Sequence, residues 1–281
     1  MKSNNMSYLY NVEYYDGLGL NDEEFFVNGG ITDRTTNIVE FHFPTENIFP
    51  AEFEHIDGLQ EFSLHTAYPG LMIGTGLLHE IKMVDALKNG FTFDFVTGLP
   101  FLPGSSLKGM LRSYFPEPGD DARIEYIKSC PNGKKVDDIV EFTKWIFGQD
   151  KPGNINFLGA FPQVDENDKT LLATEYITPH PSEFKEPKPV SMVKIKPGVI
   201  FKFFFVCKDY VVDKKVVVTA AELLELFEQI VLDMGIGAKT NVGFGMMVKK
   251  PSKNELLKVN APKPNPSNNN RPQGSNRNNR R

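Results

Sequence analysis

TGLPFLPGSSLKGMLRSYF, Thr97–Phe115, runs a proline-punctuated turn into a helical pattern. Leu107, Met110, Leu111 and Tyr114 recur at helical spacing, and Lys108 and Arg112 stand one turn apart beside that apolar stripe. Ser105 or Ser106 is placed to cap the helix. Free N–H groups at a helix start, with two cations nearby, make a seat for phosphate. The same stretch is also what an ordinary capped helix looks like. Glycine inside a helix costs about 1 kcal/mol relative to alanine. Gly109 within the pattern therefore predicts that a strand or a nucleic-acid backbone comes close.

Upstream, FTFDFV (Phe91–Val96) alternates and reads as a strand, as do IVEFHF (Ile38–Phe43) and QEFSLHTA (Gln60–Ala67). Residues 1–35 show little periodicity and read as irregular, with room for a short helix. PGLMIGTG (Pro69–Gly76) reads as a loop or bulged strand. Downstream, helical patterns cover Ala122–Lys128 and Val136–Phe147. INFLGAFPQV and LLATEYITP, joined by the polar loop Asp165–Lys169, read as an extended hairpin, and Glu183–Pro189 as a mobile loop. VIFKFFFV (Val199–Val206) has the composition of a buried strand. Thr219 and Glu222 form a capping box, and Leu223, Leu226, Phe227, Ile230 and Met234 make an amphipathic stripe that stops at Gly235. A strand resumes over Gly243–Lys249.

Strand, loop and helix, followed by strand, helix, glycine loop and strand, describe an α+β fold. Helices cover one face of a mainly antiparallel sheet, in keeping with the ferredoxin-like βαββαβ scheme. The expectation is one domain over 1–259 with insertions. The residues beyond it, 260–281, are rich in Pro, Asn and Arg and read as a disordered basic tail.

Bulk properties bound the function. The 281 residues are 40% hydrophobic and 24% charged, with 23 phenylalanines, which fits a soluble chain with an aromatic core. Cys130 and Cys207 are too few for a disulfide framework or a zinc cage. The N-terminus lacks an apolar secretory region, and no apolar run is long enough to span a membrane, so a cytoplasmic location is expected. The net charge of −5 is unevenly spread. Residues 1–98 carry 15 acids against four bases (Lys2, Arg34, Lys82, Lys88), whereas the residues from Asn260 onward carry five bases and no acid. An acidic front repels RNA and suits a basic protein neighbour, or is simply well solvated.

GIGAKTNVGFG (Gly235–Gly245) is the second motif. Gly235, Gly237, Gly243 and Gly245 allow positive φ and close backbone approach. Lys239 supplies charge, Thr240 and Asn241 hydrogen bonds, and exposed amides suit phosphate. A nucleotide P-loop is excluded because Ala238 precedes Lys239 and the loop follows a helix rather than a strand. A dinucleotide fingerprint fails at Thr240, and the aromatic RNA-recognition strand fails at Val242. A plain glycine turn stays open as the alternative. Five histidines (His42, His55, His65, His79, His180) stand at no metal-ligand spacing, so neither a metal nor a cofactor is expected. His180, on a proline-bounded loop, is a candidate contact to phosphate or base.

HTAYPGLMIGTGLLHE (His65–Glu80), FTFDFVTGLPFLPGSSLKGMLRSYF (Phe91–Phe115), WIFGQDKPGNINFLGAFP (Trp145–Pro162), LATEYITPHPSEF (Leu172–Phe184) and GIGAKTNVGFG, in this order, resemble the RAMP superfamily of CRISPR RNA-binding proteins. Within it they are most similar to the sixth-subunit family of the type III-B Cmr assembly. The family pattern leads one to expect an acidic residue where Gly159 stands. The resemblance implies a non-catalytic structural subunit that holds the 3′ part of the guide RNA beside backbone and capping subunits, in antiviral defence. Direct binding of target RNA is left open. The RNA contacts so implied are Ser105, Ser106, Lys108, Arg112, His180, Gly235, Gly237, Lys239, Thr240, Asn241, Gly243, Phe244 and Gly245. The alternative is a RAMP endoribonuclease that processes guide precursors, for which His65 or His180 is the candidate general base.

Overall fold

The computed structural model describes residues 4–16, 30–45, 55–74, 86–177 and 189–251. Its helices are α1 (Met6–Asn11), α2 (Gly30–Val39), α3 (Gly104–Tyr114), α4 (Asp121–Ser129), α5 (Ile139–Phe147) and α6 (Ala220–Met234). Its strands are β1 (Leu59–Thr66), β2 (Leu102–Pro103), β3 (Asn156–Pro162), β4 (Leu172–Ile177), β5 (Val190–Ile195), β6 (Ile200–Val206), β7 (Tyr210–Val212), β8 (Lys215–Val218) and β9 (Met247–Val248).

The sheet is built around β6, whose Phe201, Phe203 and Phe205 are fully buried on one face. β6 pairs antiparallel with β1, from Leu59 opposite Val206 to His65 opposite Ile200, and with β3 on its other side. The full order is β2-β3-β6-β1-β9. Setting aside the edge strand β2, this is the strand order of a ferredoxin-like βαββαβ fold, with α3 in the first crossover and α6 in the second. The opposite face of β6 is more polar, and Lys202 there pairs with Glu61 at 2.8 Å.

An aromatic cluster joins helices to sheet. Phe227 of α6 lies 5.4 Å from Phe205 and 5.9 Å from Phe157, ring centre to ring centre, and Phe115, just past the end of α3, and Phe147 of α5 close the cluster. The capping box at Thr219 is present in full, with both reciprocal bonds made. A second sheet, β4 with β5, stands apart, and Asn89 extends it by bonding both the N–H and the C=O of Val193.

Four expectations are corrected. Ile38–Phe43 is not a strand: Ile31, Thr35 and Ile38 sit at helical spacing and become the buried face of α2, which ends at Val39. The Phe91–Phe95 alternation buries Phe91 and Phe93 but makes only a single bridge, Phe93 to Pro100, and leaves Phe95 in water. β3 and β4 do not form a hairpin: β3 is already flanked by β2 and β6, so β4 crosses to β5. The last strand is two residues, because the chain from Gly235 to Gly245 is used as a loop. Glycine at 159 also has a local reason. It sits at a bulge in β3 with φ +111°, and a Cβ there would lie 2.5 Å from the Leu102 carbonyl oxygen. The tail from 260 and most of Glu183–Pro189 lie outside the described residues.

Candidate functional site

α3 starts two or three residues earlier than a cap at Ser105 or Ser106 would place it. Pro103 is the residue before the first turn, and no side chain caps the helix. Gly104 opens it because a Cβ there would collide with the Phe157 carbonyl oxygen. Ser105 and Ser106 therefore lie exposed within the first turn rather than acting as caps. Leu107 and Leu111 anchor the helix with no exposed surface. Gly109 is exposed, and a Cβ there would meet nothing within 4 Å, so no strand packs against it.

The two cations of α3 turn to a different side from Ser106. Lys108 Nζ lies 6.0 Å from the centre of the Phe157 ring, and Arg112 lies 5.9 Å from that of Phe147. Those two rings are themselves stacked at 5.6 Å. Arg112 also donates to the Phe115 carbonyl and pairs with Glu117. Their stems thus cover an aromatic pair, as long cationic side chains commonly do.

The glycine loop is stapled to the chain after β1. Ala238 N–H donates to the Met72 carbonyl at 2.8 Å, Gly245 N–H to the Gly70 carbonyl at 2.8 Å, and Ala67 N–H to the Met246 carbonyl at 2.8 Å. Gly237 takes φ +91°, and a Cβ there would be 2.5 Å from the Met72 oxygen, so only glycine fits the staple. The amides of Ile236, Ala238, Val242, Gly243 and Gly245 all bond to backbone carbonyls; none of these bonds uses the amides of Gly237, Lys239, Thr240 or Asn241. Gly235, Phe244 and Gly245 are interior. Phe244 packs with Met72 and Met192, under the Lys194 ammonium at 5.9 Å, and Lys194 is held by Glu175 at 2.6 Å. The residues of the loop offered to a ligand are thus Gly237 and Lys239–Asn241, with Gly243 half-buried behind them.

The two motifs meet across a cleft of about 260 Å³. One wall is Ser106, Met110, Ser113 and Tyr114 of α3, and the other runs from Met234 to Ala238, with Thr240. Ser106, Ser113, Thr240 and Tyr114 therefore put hydroxyl-bearing residues in the walls, although the Ser113 hydroxyl donates to the Met110 carbonyl at 2.6 Å, and the exposed Lys239 stands between two wall residues. Ser113 was missed in the sequence, although seven residues from Ser106 is two helical turns and hence the same face. Lys108 and Arg112 are not part of the cleft. His65 is on β1, and its Nδ1 makes no hydrogen bond; His180 lies outside the described residues. Burial pushes the Cys207 thiol up to about 12 and raises that of Cys130. Among the described residues no group of three or more His, Cys, Asp or Glu is arranged to hold a metal ion, and no helix is long and apolar enough to cross a membrane.

Comparison with known proteins gives four likenesses. The family model of the RAMP superfamily matches residues 63–248. The CMR subunit Cmr6 of the Saccharolobus solfataricus CRISPR system is 30% identical over 164 residues, covering 56% of this chain and 48% of the relative. Cmr6 of Pyrococcus furiosus is 25% identical over 206 residues, covering 54% and 58%. The chain thus spans about half the length of the curated relatives it matches. In fold it resembles a chain of the cryo-EM structure of the type III-B Cmr-beta bound to cognate target RNA, with a TM-score of 0.58 and 23% identity over 87% of this chain and 84% of that one.

Proposed function

Because the chain belongs to the RAMP superfamily, we propose that it is a non-catalytic structural subunit of a type III-B, Cmr-type RNA-guided assembly, and that the cleft between α3 and the glycine loop holds guide-RNA backbone. The observation that carries this reading is the meeting of the two glycine motifs, far apart in the chain, across one cleft. Hydroxyls in the walls, loop amides outside the staple and a lysine at the rim are donors and charge for phosphate and ribose oxygens. Such groups position a strand without reading its bases. Likeness to Cmr6 subunits supports placing the chain among other subunits; that its partners are neighbouring backbone and capping subunits and the 3′ part of the guide is part of the proposal. Lys108 and Arg112 belong to this proposal only as a second, peripheral contact, since they already cover Phe157 and Phe147.

The test is guide-RNA binding measured over a salt series. Lys239→Ala should weaken binding and lower the log–log salt slope by about 0.7, the value for one phosphate contact on a single strand. Lys108→Ala, at the peripheral contact, should lower that slope by less. An unaltered slope for Lys239→Ala, together with full binding by a Ser106→Ala/Ser113→Ala/Thr240→Val variant, would remove the cleft from the RNA path.

A further inference from the structure

Phe95 is 84% exposed and its neighbour Val96 is 88% exposed, the two most exposed large apolar side chains among the described residues. Such exposure in a slack loop would carry little meaning, but this loop is tied down. Asp94 N–H donates to the Leu99 carbonyl at 2.8 Å and Gly98 N–H to the Asp94 carbonyl at 2.9 Å. The Asp94 carboxylate accepts from both the N–H and the hydroxyl of Thr97, each at 2.7 Å. From outside the loop, Asn5 Nδ2 donates to the Phe95 carbonyl at 2.9 Å, while Asn5 Oδ1 accepts from Tyr8 N–H at 3.2 Å as the cap of α1. A Cβ on Gly98 would lie 2.7 Å from the Met6 nitrogen, so loop and helix touch backbone to backbone. One amide side chain therefore fixes both the tip and α1. Tyr8 of this helix and Val12, the residue just past its end, are each 50% exposed.

The Phe95–Val96 tip is thus ordered before any partner arrives, which reduces the entropy lost on docking. Large apolar groups at a rigid, exposed point are the kind that dominate protein interfaces. Charge decides between occupants. Glu13 follows Val12 and Asp94 precedes Phe95, and among the described residues neither enters an ion pair. Among the described residues of the first 98, the acids are Glu13, Asp16, Asp33, Glu40, Asp57, Glu61 and Asp94, against Arg34 and Lys88. That field repels a phosphate backbone and attracts cationic side chains.

We propose that the Phe95–Val96 tip is a docking knob for a neighbouring protein subunit that offers an apolar pocket rimmed by Lys and Arg. The inference rests on the proposal that the chain works within a multi-subunit assembly, but not on the cleft holding RNA. The test uses the full-length chain, purified with its assembly, as wild type, as Phe95→Ser/Val96→Ser and with a benzoylphenylalanine photoprobe at position 95. The double variant should melt as the wild type does, since both side chains are already in water, and the isolated chain should keep its affinity for guide RNA. Its incorporation into the assembly should fall at least tenfold, and the photoprobe should join a different protein subunit. Glu13→Lys should weaken incorporation further as salt is lowered. Equal incorporation of the double variant, or a photo-adduct to RNA or to a second copy of this chain, overturns the knob. If the wild-type chain enters no assembly at all, the parent reading fails and the knob falls with it; if it assembles and only the knob test fails, the parent reading stands.

Discussion

At the scale of single residues, Gly109 is the one whose presence the fold does not require. A side chain there would meet nothing, so Gly109→Ala should raise stability by about 1 kcal/mol, read by thermal melting. Gly109→Trp should melt no lower than about 1 kcal/mol below wild type yet lose affinity for guide RNA if a strand of nucleic acid crosses the exposed side of α3. Gly237 is the opposite case. Its positive φ and the nearby Met72 oxygen predict that Gly237→Ala costs on the order of 2 kcal/mol or more and loosens the loop staple. Burial of Cys130 and Cys207, with Cys207 raised to about 12, predicts that an aromatic disulfide reagent at pH 8 reacts with neither thiol until the chain is unfolded. The importance of Gly237 was legible from glycine spacing. The true start of α3 was not, because Pro103 and Gly104 are dictated by the approach of β3, a contact 53 residues further along the chain.

At the scale of elements, α6 is the part most openly written in the sequence. Its cap, stripe and stop are all local, and the helix follows them from Ala220 to Met234. Thr219→Ala should cost about 1 kcal/mol, measured by denaturant unfolding. The hydrogen bond from Lys135 first, and then the Thr219 amide, hold the Glu222 carboxyl below its usual range. A lowered native value stabilises the fold above the unfolded-state value, and that contribution is lost as pH falls through the native value. Lys135→Ala should therefore flatten the acid limb of the stability profile. β3 and β4 were legible as strands and illegible as partners. Alternation reports that a segment is extended, whereas pairing depends on which edges are already taken, and β6 had taken the inner edge of β3. Likewise Val39, Phe41 and Phe43 alternate over too few residues to outweigh the helical spacing of Ile31, Thr35 and Ile38.

At the scale of the whole molecule, the ferredoxin-like scheme and an aromatic-rich core were readable from the succession of elements and the abundance of phenylalanine. Phe227→Ala should cost about 3–5 kcal/mol, because the ring meets Phe205, Phe157 and Phe115 at once. The side of α3 that faces the glycine loop was not readable, since Lys108 and Arg112 drew attention to charge while Ser106 and Ser113 formed the wall. The two walls also differ in what carries them. α3 follows directly from β2 and packs on β3, whereas the loop leads into β9 and is bonded to the residues that leave β1. The cleft is thus a caliper whose jaws are mounted on opposite edges of a five-stranded plate, and close-packed interiors transmit strain. Its gap is a reading of the sheet's twist, so a mutation buried in the middle strand could re-gauge the grip on a ligand that it never touches.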